Sequence, residues 1–492
     1  MGFVQCGNVL NLQNICNKLH DKRTIIVSAF DNDGAVSFPA ALDNVIGVDG
    51  ENIPQIGNNY IRINNSVINV VCKQRSMRVA WIKPDYIFVT GNSFLCANVT
   101  VKIAYQIMQH GYFDINSLCN QVLSFKEKLE NKIPFTIKKA AIYPFNKEIH
   151  AIVRFEDMLN FDVTDYYSTR ITGQVGKTIS DILSNCNNNK VIKNIDNINW
   201  DEFDTTILGH IETLSILSGK DSCTSIVDAA TKKGKNIYCF DPPETLFENE
   251  KIPDNLFCPK YTENSFTKRF GKLYKTDKPI LSIIGTNSRQ GKFTLQLCLR
   301  KKLIKRGFSV GNMGTEPSSL LFDFEAIFPC GYNGMIQLDI PQTITSVNEL
   351  IWDITQNNPD IIITGGQSGF LPYNDSNALM FPSYHQIVFS AIQPDAIILC
   401  INPYDEIDFI ERTIKVAEGL SNGKVIGIVC FPVDVSEGWQ GRMGGHNRIS
   451  EHQEVELKNR LSKKFNNNIG IYMLDNDSEI DALVESVIYY FQ

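Results

Sequence analysis

Leu281-Ser282-Ile283-Ile284-Gly285-Thr286-Asn287-Ser288-Arg289-Gln290-Gly291-Lys292-Phe293-Thr294 passes from an apolar run through a glycine-bounded loop into a segment of helical periodicity. In such a loop, successive backbone N–H groups converge on an anion at a helix N-terminus. Glycines remove the Cβ atoms that would block its approach, and a lysine directly after the second glycine reaches the outer phosphates. The stretch therefore predicts a buried strand, a phosphate cradle from Gly285 to Thr294 and a helix, with Lys292 as its catalytic cation. Five residues separate Gly285 from Gly291, and Phe293 stands where a magnesium-binding hydroxyl is expected, so Thr294 becomes the candidate metal ligand. A nucleotide, ATP with Mg2+, is the first expectation for the ligand.

Working outward, the chain has 492 residues, 43% hydrophobic and 21% charged, which is ordinary globular material for about three domains. A formal charge of -7 gives no electrostatic footprint for nucleic acid or an anionic membrane surface. The start of the chain lacks a basic region followed by an apolar run, and no window has the ~18 apolar residues of a membrane span, so a cytoplasmic protein is expected. The 13 cysteines include no C-x-x-C pair, which favours reduced core thiols over disulfides or a zinc site. The expected partner is a small-molecule or peptide substrate, and a homo-oligomer stays open.

Alternation of short β-branched runs with helical patterns divides the chain into three α/β domains, at 1–113, 114–276 and 277–492. In the first, strands are expected at Thr24–Phe30, Asn44–Val48 and Ser66–Val71 and a helix at Leu95–Gln109. A Lys- and Glu-rich helix, Ser117–Lys132, is expected to lead into a Rossmann-like middle domain. There Gly173-Gln-Val-Gly176-Lys177-Thr178 has too few residues between its glycines to wrap a diphosphate, and predicts a surface turn. The last domain is expected to be a doubly wound parallel sheet, P-loop NTPase-like, with ligands at the carboxyl ends of its strands.

On that rule the loops after strands carry the chemistry. Gly365-Gly366-Gln367-Ser-Gly369 lets backbone approach a ligand closely, and Gly314-Thr315-Glu316 offers Glu316 as a second, weaker magnesium candidate beside Asp339. Gly438 to Arg448 combines glycines with Arg442, His446 and Arg448, the composition of a mobile anion-binding lid or of a plain solvent loop. His385 is expected to be a helix residue satisfied by hydrogen bonds.

The phosphate loop resembles the G-T-[DN]-x-x-x-G-K-x-T loop of the class that holds dethiobiotin synthetase and cobyric-acid-type amidotransferases. Together with Gly365-Gly-Gln-Ser-Gly369 and Gln393-Pro-Asp-Ala-Ile-Ile-Leu-Cys400, it makes Ile137 to Gln492 similar to a bacterial family once classed as a domain of unknown function and represented by D-glutamate N-acetyltransferases. That resemblance implies acetyl-CoA as an alternative cofactor. In the first domain, Ser28-Ala-Phe-Asp-Asn32-Asp-Gly34, Ser37-Phe-Pro39-Ala, Lys83-Pro84-Asp85 and Gly91-Asn-Ser93-Phe-Leu-Cys-Ala-Asn-Val99-Thr resemble landmarks of the C-terminal half of subtilisin-like proteases. The resemblance places Ser93 at the nucleophile position and Asn32 at the oxyanion position. The segment that supplies aspartate and histidine in that family has almost no counterpart here, and a serine without a base is a weak nucleophile, so an inactive pseudoprotease scaffold is expected.

The leading expectation is an ATP-dependent enzyme that activates, or transfers a group to, a small carboxylate or peptide. The alternatives are an acetyl-CoA-dependent N-acetyltransferase and a non-catalytic, nucleotide-switched peptide-binding protein.

Overall fold

The computed structural model describes the chain except residues 1–7, 33–35, 52–59, 64–68, 75, 112–123, 127–131, 184–185, 212–221, 243–251, 262–272, 275, 331–335, 337, 375, 378–380, 435–446 and 466–468. It forms two compact units, Met1–Glu130 with Glu263–Lys275, and Asn131–Thr262 with Thr276–Gln492. No described helix is long and apolar enough to cross a membrane, and no disulfide links the described cysteines.

In the first unit, a five-stranded sheet runs in the order Ile26–Ala29, Val45–Glu51, Asn69–Lys73, Tyr60–Ile63, Ser124–Lys126. Only the pairing of Tyr60–Ile63 with Asn69–Lys73 is antiparallel. Helix Asn92–His110 lays Leu95, Val99 and Ile103, one face at helical spacing, on Val48, Val70 and Cys72. The helix expected over Ser117–Lys132 is corrected where it can be seen. Ser124–Lys126 is an edge strand parallel to Ile61–Ile63, because hydrogen-bonding the open sheet edge outweighs a weak helical propensity.

The second unit contains two parallel sheets. The smaller runs Lys193–Asn194, Asp162–Ser168, Lys139–Tyr143, Thr205–Leu208, Asn236–Cys239, Leu256–Phe257. In chain order this is 3-2-1-4-5-6, in which the chain reverses direction across the sheet between Lys139–Tyr143 and Thr205–Leu208 and opens a crevice at their carboxyl ends. Leu208 pairs with Tyr143, so the residues just beyond, Pro144 to Asn146 and Gly209 to His210, lie side by side. Thr178 caps the short helix Ile179–Ile182 through reciprocal bonds with Asp181, so Gly173–Thr178 is a turn.

The larger sheet runs Ala326–Ile327, Val310–Gly314, Ile361–Thr364, Ile280–Gly285, Ala396–Ile401, Lys424–Cys430, Gly470–Met473, all parallel. Ile280–Gly285 is central and buried along its whole length. Its Leu281 and Ile283 enter one core and Ile284 the other, as the period of two requires. Helices Lys292–Lys305, Ile340–Thr355, Ser383–Ile392, Ile407–Leu420, Glu451–Phe465 and Asp477–Phe491 connect or close these strands.

One hydrophobic core crosses the position where the sequence suggested a boundary. Phe145, Ile149, Tyr166, Tyr238 and Phe240 of the smaller sheet's half cluster with Leu297, Leu321, Phe322 and Phe324 of the larger. The buried Tyr238 hydroxyl also donates to the Pro317 carbonyl at 2.6 Å.

Candidate functional site

The glycine-bounded loop follows the central strand, and its conformation needs both glycines. A Cβ on Gly285 would lie 2.5 Å from Gln290 Oε1 and 3.1 Å from Lys292 Nζ. Gly291 has φ +72°, in the left-handed region, and a Cβ there would also strike Leu474 at 2.4 Å. Helix Lys292–Lys305 starts with no side-chain cap, so the N–H groups of its first turn point out of the helix with its positive end. Lys292, 8% exposed, donates to the carbonyls of Asn287 at 2.8 Å and Ser368 at 2.9 Å. Burial lowers its pKa to about 8 against the opposing pull of Cys400 and Glu316.

The loop is closed on itself rather than splayed. The Gln290 side chain, 2% exposed, accepts from the Asn287 amide at 2.9 Å and donates to Thr286 Oγ1 at 2.5 Å. The Thr286 hydroxyl in turn donates to buried Asp405, which also accepts from the Asn402 amide at 2.8 Å. The Ser288 amide is taken by the Asn287 side chain at 2.8 Å. Two of the loop amides expected to face an anion are thus held by the chain's own side chains, and Gln290 must turn aside before the Asn287 amide can serve one. Arg289, exposed, adopts φ +61° at the tip.

The glycine turn after Ile361–Thr364 packs directly on this loop. A Cβ on Gly369 would lie 2.6 Å from the Thr286 carbonyl, and one on Gly366 2.7 Å from His385 Nε2. A Cβ on Gly365 would lie 2.5 Å from Gln296 Oε1. His385 donates from Nδ1 to the Gly369 carbonyl at 3.2 Å, and burial with the neighbouring Lys292 brings its pKa to about 4, so the ring is neutral at pH 7. Gln367 donates to the Thr315 carbonyl at 3.3 Å and hydrogen-bonds the Glu316 carboxyl.

The two metal candidates do not converge. Thr294 lines a cavity of about 260 Å³ with Arg154, Phe431, Arg448 and Asp475, whereas Glu316 sits with Gln367 and faces Lys292. Phe293, partly buried, packs edge-on against Phe322 and Phe324, so the usual hydroxyl position is filled by an aromatic ring held against the core. Among the described residues, no group of three or more His, Cys, Asp or Glu could hold a metal. Asp339 instead caps helix Ile340–Thr355 through reciprocal bonds with Gln342. Most of the lid expected at Gly438–Arg448 lies outside the described residues. Arg448, within them, bonds Asp475 and Glu454 at 2.6 Å each.

Three residues that sequence reasoning missed complete the surroundings. Asp405 locks Thr286 and Gln290. His210 and Asp241 follow two neighbouring strands of the smaller sheet, and His210 Nδ1 lies 2.5 Å from Asp241 Oδ1. Asp241, fully buried, also accepts from the Ile211 amide at 2.6 Å. Burial opposes a charge on His210, but the Asp241 bond, with Glu148 and Glu316, outweighs it and raises the pKa above the usual 6.5. The signal available in sequence was position: each of the three stands just after the carboxyl end of a parallel strand.

In the first unit, Asn32 Oδ1 accepts from the Asn92 amide at 2.8 Å, which brings Asn32 beside exposed Ser93 at the start of the helix. His110 is at the other end of the same helix, ~25 Å away at 1.5 Å per residue. No histidine hydrogen-bonds Ser93 among the described residues. Incubating the protein with a fluorophosphonate probe is therefore expected to leave Ser93 unlabelled by mass spectrometry, and stoichiometric labelling would show that a base reaches it.

An all-parallel, doubly wound sheet with a lysine-bearing glycine loop after its central strand defines a P-loop domain. Residues 268–436, roughly a third of the chain, match the model described as the P-loop domain of the DUF1611 family of unknown function. Among solved structures, a DUF1611 family protein from Anabaena variabilis aligns over 72% of this chain and 99% of its own, at 13% identity and TM-score 0.47. A nucleotide-binding protein from Archaeoglobus fulgidus in complex with ADP covers 43% of this chain and 88% of its own, at 16% identity and TM-score 0.27. Cobyrinic acid a,c-diamide synthase from Mycobacterium smegmatis with ADP and magnesium covers 44% and 95%, at 10% identity and TM-score 0.29. No curated protein matches the chain.

Proposed function

We propose that the second unit is an ATP-binding enzyme that activates, or transfers a group to, a small carboxylate or peptide. The observation that carries this reading is Lys292. A buried ammonium with a lowered pKa stands at the uncapped start of a helix, behind a loop that only glycine permits at both ends. A polyphosphate would exchange the Asn287 and Ser368 carbonyls for charge-assisted bonds, and fixed N–H dipoles would stabilise charge developing on the transferred group. Mg2+ would arrive with the nucleotide, and Thr294 or Glu316, which stand apart, would hold it directly or through water.

A second reading, acyl transfer from acetyl-CoA, is favoured by Phe293. Its packing against Phe322 and Phe324 suits a phosphate ligand that needs no hydroxyl on a metal there. For the first unit we infer a subtilase-like scaffold without protease activity that binds peptide, because Ser93 and Asn32 stand together with no histidine bonded to Ser93 among the described residues.

Calorimetric titration with MgATP and with acetyl-CoA tests both readings. With Lys292 at about 8 in the free protein, a bound polyphosphate raises its pKa, so binding at pH 8 should take up about half a proton. Comparing buffers of different ionisation enthalpy measures that uptake. Heat from acetyl-CoA alone selects the second reading, and no heat from either ligand ends both.

A further inference from the structure

We propose that Arg154, carried by the smaller sheet's half, is a specificity-determining residue of the nucleotide site, and that its guanidinium meets the ring system of an adenosine diphosphate group whose phosphates lie in the cradle. The inference rests on the P-loop reading and adds what recognises the nucleoside end. It holds for either ligand, because ATP and acetyl-CoA share that group.

Arg154 lines the cavity beside Thr294, and this cavity is continuous with the cradle. Thr294 stands two residues beyond Lys292, roughly 3 Å further along the helix axis. Phe431 and Leu474 line the same cavity, and both pack on the loop's second glycine: a Cβ on Gly291 would lie 2.4 Å from Leu474 and 3.7 Å from Phe431. A ligand that leaves the cradle past the first turn of the helix therefore enters this space. Its volume, about 260 Å³, is below the roughly 300–1,000 Å³ of pockets that hold a whole small ligand, so it admits part of one.

The lining decides which part. Arg448 is paired with Asp475 at 2.6 Å, and Asp477 with Lys302 at 2.6 Å. Of the charged residues in the lining, Arg154 is the one that forms no hydrogen bond or ion pair among the described residues. The Phe431 ring holds its guanidinium at 5.9 Å, within cation–π reach, and burial lowers its pKa without removing its charge at pH 7. Phe155, Pro432, Val433 and Ile480 add apolar wall. An apolar space with one planar, weakly hydrated cation suits a flat heteroaromatic ring, which stacks on the guanidinium and buries its own surface.

The strand and loop of the cradle do not supply this residue. Arg154 ends the short helix His150–Arg154, which follows strand Lys139–Tyr143 of the smaller sheet. Its neighbours Ile152, Val153 and Phe155 sit in the core that the two sheets share, so the helix is held firmly against the larger sheet's half. Recognition of the ring thus depends on both halves of the second unit.

The test is calorimetric titration of the full chain with magnesium pyrophosphate and with MgADP, for the wild type and for Arg154→Met and Arg154→Lys. The wild type is expected to bind ADP more tightly than pyrophosphate. Arg154→Met should weaken ADP binding about tenfold, the worth of one stacked base contact, and pyrophosphate binding less than about threefold. Arg154→Lys keeps the charge but loses the plane, so ADP binding should stay weakened about as far. Thermal melts check that each variant folds, and the lysine variant carries the test should the methionine variant unfold. Wild-type binding of both ligands with equal losses in the variants, or with none, overturns this proposal alone. Full rescue by lysine shows charge at work without a ring contact and overturns it as well. No heat from either ligand with the wild type ends the P-loop reading and this one with it.

Discussion

Lys292→Ala is expected to weaken MgATP binding by about 30- to 1000-fold while leaving the protein folded. Removing one cation from a desolvated charge pair typically costs ~2–4 kcal/mol, and 1.4 kcal/mol is roughly tenfold in affinity. Stability should change far less, and the sign of the linkage explains why. The unfolded chain holds Lys292 near the ordinary 10.5, whereas the folded protein holds it at about 8. Between those values the unfolded state binds more protons, so folding is favoured as pH rises through the window, and below about 8 the buried charge is a cost. Alanine removes that cost together with the two bonds to carbonyls, and the two losses offset. Calorimetry beside a thermal melt separates the outcomes. Unchanged affinity would remove Lys292 from the site, and loss of binding with loss of folding would leave its role unsupported.

Phe322→Ala is expected to cost about 3–5 kcal/mol, the range for truncating a buried aromatic side chain. Phe322 is fully buried, meets Phe293 edge-on at 5.9 Å, and belongs to the cluster that spans both sheets of the second unit. The loss should therefore appear in both sheets. Hydrogen exchange should show strands Thr205–Leu208 and Ile361–Thr364 losing protection together, as parts of one cooperative unit. Loss confined to Ile361–Thr364 would mean that the two sheets fold independently.

Most strands of the larger sheet were legible in sequence because they are buried on both faces, whereas the two-residue edge strand Ala326–Ile327 was not. The apolar run Leu281–Ile284 lies in strand Ile280–Gly285, buried as expected. The phosphate loop was legible because glycine spacing is a local backbone requirement. Ser124–Lys126 was not, since a three-residue edge strand is set by the neighbour it pairs with. The use of Gln290 was equally hidden: its side chain fills the loop only because Asp405, 115 residues away, anchors Thr286.

By itself the sequence determined the α/β class, the glycine–lysine loop and its place after a buried strand, since each depends on residues adjacent in the chain. Only the tertiary structure decided that the two sheets of the second unit share a core, that Thr294 and Glu316 point to different places, and that His210 meets Asp241 near Glu316. Those relations join residues tens to hundreds of positions apart. Their free energy comes from burial and hydrogen bonding between elements, which no local pattern of residues encodes.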